Sequence, residues 1–125
     1  MAGQSKLFSD SLLAAADLSA KQYKFVKLTD DRTVNVCGNG EAMYGILQND
    51  PAAAGRPAEV MVYGISNLVL GGTVTAGAYI GSDGNGDGVA VTADHAEYGA
   101  IAREGGDDND VISVLLIPGA PTISA

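Results

Sequence analysis

Few side chains in this sequence are of the types that carry out acid–base or nucleophilic catalysis. The single histidine, His95, lies between Asp94 and Glu97, carboxylates that can orient an imidazole or share a metal ion with it. This spacing matches no usual zinc or hydrolase motif, so a solvated turn histidine is the favoured interpretation. The single cysteine, Cys37, has no histidine near it and is followed by Gly38, a pattern typical of a small buried residue at a strand end. The sequence therefore predicts no catalytic residue and no enzyme.

One run of acidic and glycine residues has the spacing of calcium ligands. Its oxygen-bearing side chains fall at the first, third, fifth and twelfth positions of an EF-hand loop, and they are Asp83, Asn85, Asp87 and Asp94. The flanking residues have strand patterns, and an aspartate replaces the terminal glutamate, so the same letters also predict a hairpin loop. A calcium-dependent β-module for adhesion or carbohydrate binding is the alternative function. The favoured prediction contains no metal and no cofactor.

Composition and charge argue against several other functions. The chain has 125 residues and a formal net charge of −8, with a pI near 4.2, which disfavours nucleic-acid binding because Lys and Arg supply that affinity. No G-x-x-x-x-G-K-[ST] phosphate loop occurs, so ATPase or dinucleotide chemistry is not expected. No apolar run approaches the ~20 residues that cross a bilayer, and the first residues lack a signal-peptide pattern. We therefore expect no membrane partner, and a product that stays in the cytoplasm or in a particle assembled there.

Short strands separated by turns account for most of the sequence after residue 20. Apolar runs predict eight or nine strands, at residues 23–28, 33–37, 44–47, 58–63, 65–70, 78–80, 89–92, 98–102 and 111–117. The segments between them are rich in Gly, Asn, Asp and Pro, which favour turns. The predicted fold class is mainly β, a small single-domain β-barrel or β-sandwich.

A weak internal echo points to a pseudo-repeated barrel. Tyr44-Gly-Ile-Leu followed by Glu59-Val-Met-Val resembles Tyr98-Gly-Ala-Ile followed by Asp110-Val-Ile-Ser-Val. Each pair would form a strand–loop–strand hairpin with an acid at the start of its second strand. A coincidence among strand-forming residues is the alternative explanation.

The N-terminal segment contains the residues expected to contact a partner. Residues 1–20 are predicted to form an N-terminal arm, and residues 21–125 a β-rich domain. Apolar anchors and a lysine in the arm are the candidate contacts: Lys6, Leu7, Phe8, Leu12 and Leu13. Residues 9–16 can form a helical turn or two folded on the chain's own barrel, or stay extended. An arm laid on a partner is favoured, because such anchors carry most of the energy of an interface.

Several strand-and-turn motifs between residues 14 and 117 occur in a recognisable order. They are Ala16-Asp-Leu-Ser-Ala-Lys-Gln-Tyr-Lys-Phe-Val-Lys-Leu28, Tyr44-Gly-Ile-Leu-Gln-Asn-Asp-Pro51, Gly55-Arg-Pro-Ala-Glu-Val-Met-Val62, Thr75-Ala-Gly-Ala-Tyr-Ile-Gly-Ser-Asp-Gly-Asn-Gly86, Tyr98-Gly-Ala-Ile101 and Val111-Ile-Ser-Val-Leu-Leu116. Their order and spacing resemble those of the small head decoration, or capsid cement, proteins of tailed bacteriophages, over about four-fifths of the chain.

The resemblance implies a small, tulip-like β-barrel on the outer surface of the virion. Proteins of that family bind the expanded icosahedral head and clamp neighbouring major capsid subunits, commonly as homotrimers at threefold or quasi-threefold positions. The arm residues named above would then contact the capsid or a neighbouring copy. In the family, residues 83–88 correspond to a Ser-Asp-x-Asn-Gly hairpin loop, which weakens the calcium alternative.

Overall fold

Nine β-strands make up the regular secondary structure of the residues that the computed structural model describes, which are 5–92 and 98–117, with the backbone alone for residues 5–8. They are β1 (Ser5–Ala14), β2 (Phe25–Asp30), β3 (Thr33–Val36), β4 (Gly45–Leu47), β5 (Pro57–Val69), β6 (Tyr79–Ser82), β7 (Gly88–Ala90), β8 (Ala100–Ala102) and β9 (Val111–Leu116). The all-β fold class is confirmed. Within the described ranges, no helix has the length and apolar character needed to cross a membrane.

The first five strands close into a barrel, here called the first barrel. Their order is β1-β3-β2-β4-β5, and β5 returns to β1. β1 pairs antiparallel with β5 and, at Leu13 and Ala14, parallel with β3. Side chains alternate across these strands, so one face of each lines a largely apolar interior. That interior contains Leu12, Ala14, Val26, Val34, Leu47, Ala58, Val60 and Val62.

β5 continues into a second ring of strands, here called the second barrel. Its order is β5-β9-β8-β6-β7, and a parallel bridge between Leu70 and Gly88 closes it, with the Gly71 amide donating to the Gly88 carbonyl at 2.8 Å. The sequence pattern predicted two strands, 58–63 and 65–70, where the structure has one. Gly64, between them, has a φ of 133°, which a residue without a side chain adopts at little cost. The strand therefore passes through this position without ending.

The two barrels are built from the same set of pairings, about 55 residues apart along the chain. Pairings of the first barrel have counterparts in the second: Leu12–Ala58 corresponds to Leu68–Ile112, Val26–Gly45 to Ile80–Ala100, Leu47–Val60 to Ala102–Val114, and Ala14–Val34 to Leu70–Gly88. Both hairpins of the sequence echo are present, as β4–β5 and β8–β9. The strand pairings align Gly45 with Ala100 and Val60 with Val114, whereas the sequence echo places these residues on Gly99 and Val111. The two barrels therefore form a structural repeat in which β5 is shared, and the echo marks its hairpins out of register.

Three outward-facing residues of the first barrel join it to the second. Phe25 pairs with Ile46, and Ile46 pairs with Met61, so the three form one lateral row, here called the first rung. All three are fully buried, in the same cluster as the interior of the second barrel. β4 is consequently buried on both faces, which explains its continuous apolar sequence.

Candidate interaction site

β1 contains all five residues that the sequence predicted to contact a partner, and its alternation places Leu12 and Leu13 on opposite faces. Leu12 is 6% exposed and belongs to the core of the first barrel, whereas Leu13 is 45% exposed. Lys6, Leu7 and Phe8 lie on the same strand, beside β5. Residues 5–14 form an extended strand that pairs with β5 of the same chain. The arm that lies on a partner stays a prediction. Among the described side chains of this set, Leu13 is the one at the surface.

Leu13 belongs to a partly apolar outer face formed by β1 and β5. Its cross-strand neighbour is Pro57, which is exposed, and the next outward pair is Ser11 with Glu59. Tyr63, further along β5, is 44% exposed. Pro57 and Tyr63 could not be predicted as contact residues from the sequence, because nothing local to them shows that β1 pairs with β5.

A hydrogen bond across the first barrel joins β1 to the segment before β4. The Tyr44 hydroxyl donates to Oδ2 of Asp10 at 2.7 Å, and the Tyr44 ring packs against the interior of the first barrel. The hydrogen bond to the carboxylate, together with burial and the negative charge of Asp10, raises the pKa of Tyr44 above its ordinary value. The phenol is therefore held in its protonated form, and the bond fixes β1 where β3 does not reach it.

Because of this hydrogen bond, we expect the protein to lose stability at alkaline pH. Because the folded protein raises the pKa of Tyr44, the stabilisation is complete below the pKa of the unfolded tyrosine, about 10, and is lost as the pH rises through the folded value. We expect Tyr44→Phe to lower the free energy of unfolding by about 1 kcal/mol near neutral pH. The difference in free energy of unfolding between the wild type and Tyr44→Phe should be smaller at about pH 11 than near neutral pH. Urea unfolding at the two pH values measures it. A constant difference would contradict the assignment.

The loop with calcium-ligand spacing is tied to the first barrel. Asp83 Oδ1 accepts the backbone amides of Asn85 and Asp87, at 2.8 and 3.0 Å. Asp87 Oδ1 lies 2.9 Å from the Lys24 ammonium, at the distance of an ion pair. Asp94 falls outside the described residues, and within them no three His, Cys, Asp or Glu side chains are grouped to hold a metal ion. The calcium alternative stays a prediction, and the described contacts of Asp83 and Asp87 are those of a docked hairpin loop.

The single cysteine of the chain lies in the core. Cys37 is buried, and its Sγ lies 3.4 Å from the Glu41 carbonyl oxygen. His95 and its neighbours Asp94 and Glu97 lie outside the described residues. Cys37 is fully buried in the cluster that contains the interior of the second barrel, where it packs as a small apolar residue.

Comparison with known proteins relates this chain to others through its fold. No family model and no curated protein matches the sequence. A similar solved structure is that of the N base of head fiber gp8.5 in bacteriophage phi29, with a TM-score of 0.72 and 10% sequence identity. The match covers 94% of this chain and 98% of that chain. The two chains therefore share one arrangement of strands over nearly their whole length.

Proposed function

We propose that this chain is a structural protein of a bacteriophage head. The observation that carries the proposal is the fold it shares, over nearly its full length, with the base of a phage head fiber. The motif order that resembles capsid cement proteins supports the same assignment independently of the structure. In the finer form of the proposal, the chain is a decoration protein that binds the outer surface of the expanded head and clamps neighbouring major capsid subunits, without enzymatic activity.

The physical basis of such a clamp is selective binding to the assembled state. A protein that binds across a seam between subunits, and not to separated subunits, raises the free energy of opening that seam. Many identical sites on one head make modest single contacts sufficient. In this proposal the partners are the major capsid protein and further copies of the chain, as a homotrimer at threefold or quasi-threefold positions. The protein is made in the host cytoplasm and resides on the outer surface of the virion.

The outer face of β1 and β5 is the proposed capsid contact. Leu13 supplies exposed apolar area there from β1, the strand that also contains Lys6, Leu7 and Phe8. Pro57 and Tyr63 supply it from β5. Leu12 supports this face from the core. Deletion of residues 1–16 would remove a strand of the first barrel, so single surface substitutions separate binding from folding more cleanly.

Co-sedimentation with expanded heads that lack the protein, from the phage that encodes it, tests the proposal. We expect saturable binding at a stoichiometry near one copy for each capsid subunit. The same heads should then resist heating or chelation better than undecorated heads. A folded protein that does not sediment with its own heads would overturn the proposal.

A single substitution should weaken head binding without unfolding the protein. Leu13→Asp places a charge on the proposed contact face, and we expect an apparent affinity for heads about tenfold lower or more. Val111→Asp is the matched control, because Val111 is 47% exposed but lies at the start of β9. Equal binding by the two folded variants would place the capsid contact on another face.

A further inference from the structure

A row of residues on the second barrel corresponds to the first rung. Tyr79 pairs with Ile101, and Ile101 pairs with Leu115, in the register that joins Phe25, Ile46 and Met61. Tyr79, Ile101 and Leu115 are here called the second rung. Because the two barrels share their pairings, the second rung is the face by which a third barrel of this kind would be joined.

The first rung shows how such a face is covered. One end of the second barrel lies against it: the Phe25 amide donates to the Gly86 carbonyl at 2.8 Å, and a Cβ on Gly99 would lie 3.2 Å from the Phe25 ring. Nearby, the Ser82 hydroxyl donates to the Cys37 carbonyl at 3.4 Å, and Ser82 is only 4% exposed. The covering surface is therefore the end of the second barrel formed by β6 and the loop that follows it.

The second rung has no such cover among the described residues. Tyr79 is 42% exposed, and Ile101 and Leu115 are half-buried, whereas each residue of the first rung is fully buried. Tyr98 stacks on Tyr79 with ring centroids 4.5 Å apart, which widens the apolar surface. An exposed apolar surface that contains aromatic side chains is typical of an interface.

The complementary end of the first barrel is exposed as well. Leu28 pairs with Val34 in the first barrel, and Ser82 pairs with Gly88 in the second. Since Val34 and Gly88 are counterparts in the repeat, Leu28 is the counterpart of Ser82. Leu28 is 49% exposed, although its counterpart is buried in the contact between the barrels. Both halves of one further contact therefore exist on each copy of the chain, and both present a large apolar side chain to solvent.

We propose that a second copy of this chain docks the Leu28 end of its first barrel on the second rung. The contact repeats between copies the contact that already joins the two barrels within one copy. It is heterologous, because different surfaces of the two copies meet, so successive copies form a ring if the rotation closes. A closed ring of three agrees with the homotrimer of the proposed function, but the inference itself rests on the internal repeat and does not need a head.

Crosslinking of two cysteine variants tests this contact directly. Val91 is the counterpart of Cys37 in the repeat. The Val91 amide donates to the Tyr79 carbonyl, and the Cys37 amide donates to the Phe25 carbonyl, each at 2.9 Å. An equimolar mixture of Leu28→Cys and Val91→Cys should yield a crosslinked dimer with a short bismaleimide, and neither variant alone should. Cys37 is buried, and the wild-type protein controls for its reaction.

Sedimentation velocity gives an independent test in solution. We expect Tyr79→Asp to convert the assembly to a monomer of unchanged circular dichroism, and Val111→Asp to leave it assembled. A wild-type protein that is monomeric at its highest soluble concentration would overturn the inference. Self-crosslinking of either single variant would also overturn it, because it indicates an isologous contact. Head co-sedimentation of the wild type is read separately, so failure of this contact and failure of the proposed function are distinguishable.

Discussion

Replacement of Phe25 by alanine is expected to lower the free energy of unfolding by about 3–5 kcal/mol. Phe25 is fully buried between the first-barrel strands and the interior of the second barrel, so its ring contacts both parts of the core. The substitution removes apolar burial and leaves a cavity that backbone pairings on both sides hold open. Urea unfolding at low protein concentration measures the effect.

The structural repeat supplies a matched control for this experiment. Tyr79 occupies the same position in the second rung, but it is 42% exposed. We expect Tyr79→Ala to cost about 1 kcal/mol or less in the dilute monomer, because surface substitutions leave no closed cavity. Similar losses for both variants would mean that the two rungs are equally covered, which would contradict the asymmetry between the barrels.

Gly86→Ala is expected to separate the loop after β6 from the first barrel. Gly86 has a φ of +78°, and a Cβ there would lie 2.8 Å from the Phe25 carbonyl oxygen and 2.5 Å from Val36 Cγ2. The variant therefore suffers left-handed backbone strain of about 1–2 kcal/mol. The collision with a neighbouring strand adds about 1–3 kcal/mol.

Gly77→Ala isolates the backbone strain from the collision. Gly77 has a φ of +86°, and a Cβ at this position would meet no atom within 4 Å. We expect it to cost only the strain, about 1–2 kcal/mol, in thermal or urea unfolding. Equal losses in the free energy of unfolding for Gly86→Ala and Gly77→Ala would show that the close contact between Gly86 and Phe25 does not contribute to stability.

The individual strands were predictable because their signals act over a few residues. Alternation and turn residues placed β3 and β9 within one residue of their observed ends. β2 begins at Phe25 instead of the predicted residue 23, because Tyr23 has a φ of 65°, a left-handed value that interrupts an extended strand. Boundaries depend on such single conformations, which the apolar pattern does not specify.

The position of β1 was not predictable, because its partners are distant in sequence. Leu13 pairs with Pro57, and Ser5 pairs with Ile65, so no turn of fixed length sets their register. Adjacent leucines, Leu12 and Leu13, are equivalent in composition, and the pairing alone decides which is buried. The candidate contact set could therefore be located on the right segment, but its division between core and surface could not be assigned.

The second rung was hidden for a different reason. Phe25 and Tyr79 are counterparts in the repeat, yet their neighbours share almost no sequence identity. The echo aligned the two halves one residue out of register at β4 and β8, and three residues out of register at β5 and β9. Equivalent positions became visible only through the hydrogen-bonded pairs. A repeat that keeps its strand pairings while its side chains diverge can be detected in the backbone structure but not in the sequence.

The shared strand β5 also determines how far apart the start of β1 and the end of β9 lie, and therefore where other polypeptides could be fused to this protein. Ser5 at the start of β1 pairs with Ile65, and Leu116 at the end of β9 pairs with Gly64, on opposite edges of β5. Two strand spacings separate these points, about 10 Å. A peptide or enzyme fused directly ahead of β1 and one fused directly after β9 would thus leave the sheet at neighbouring points. The choice between the two fusion points would reverse the polarity of the attached segment and move its attachment by only about two strand spacings.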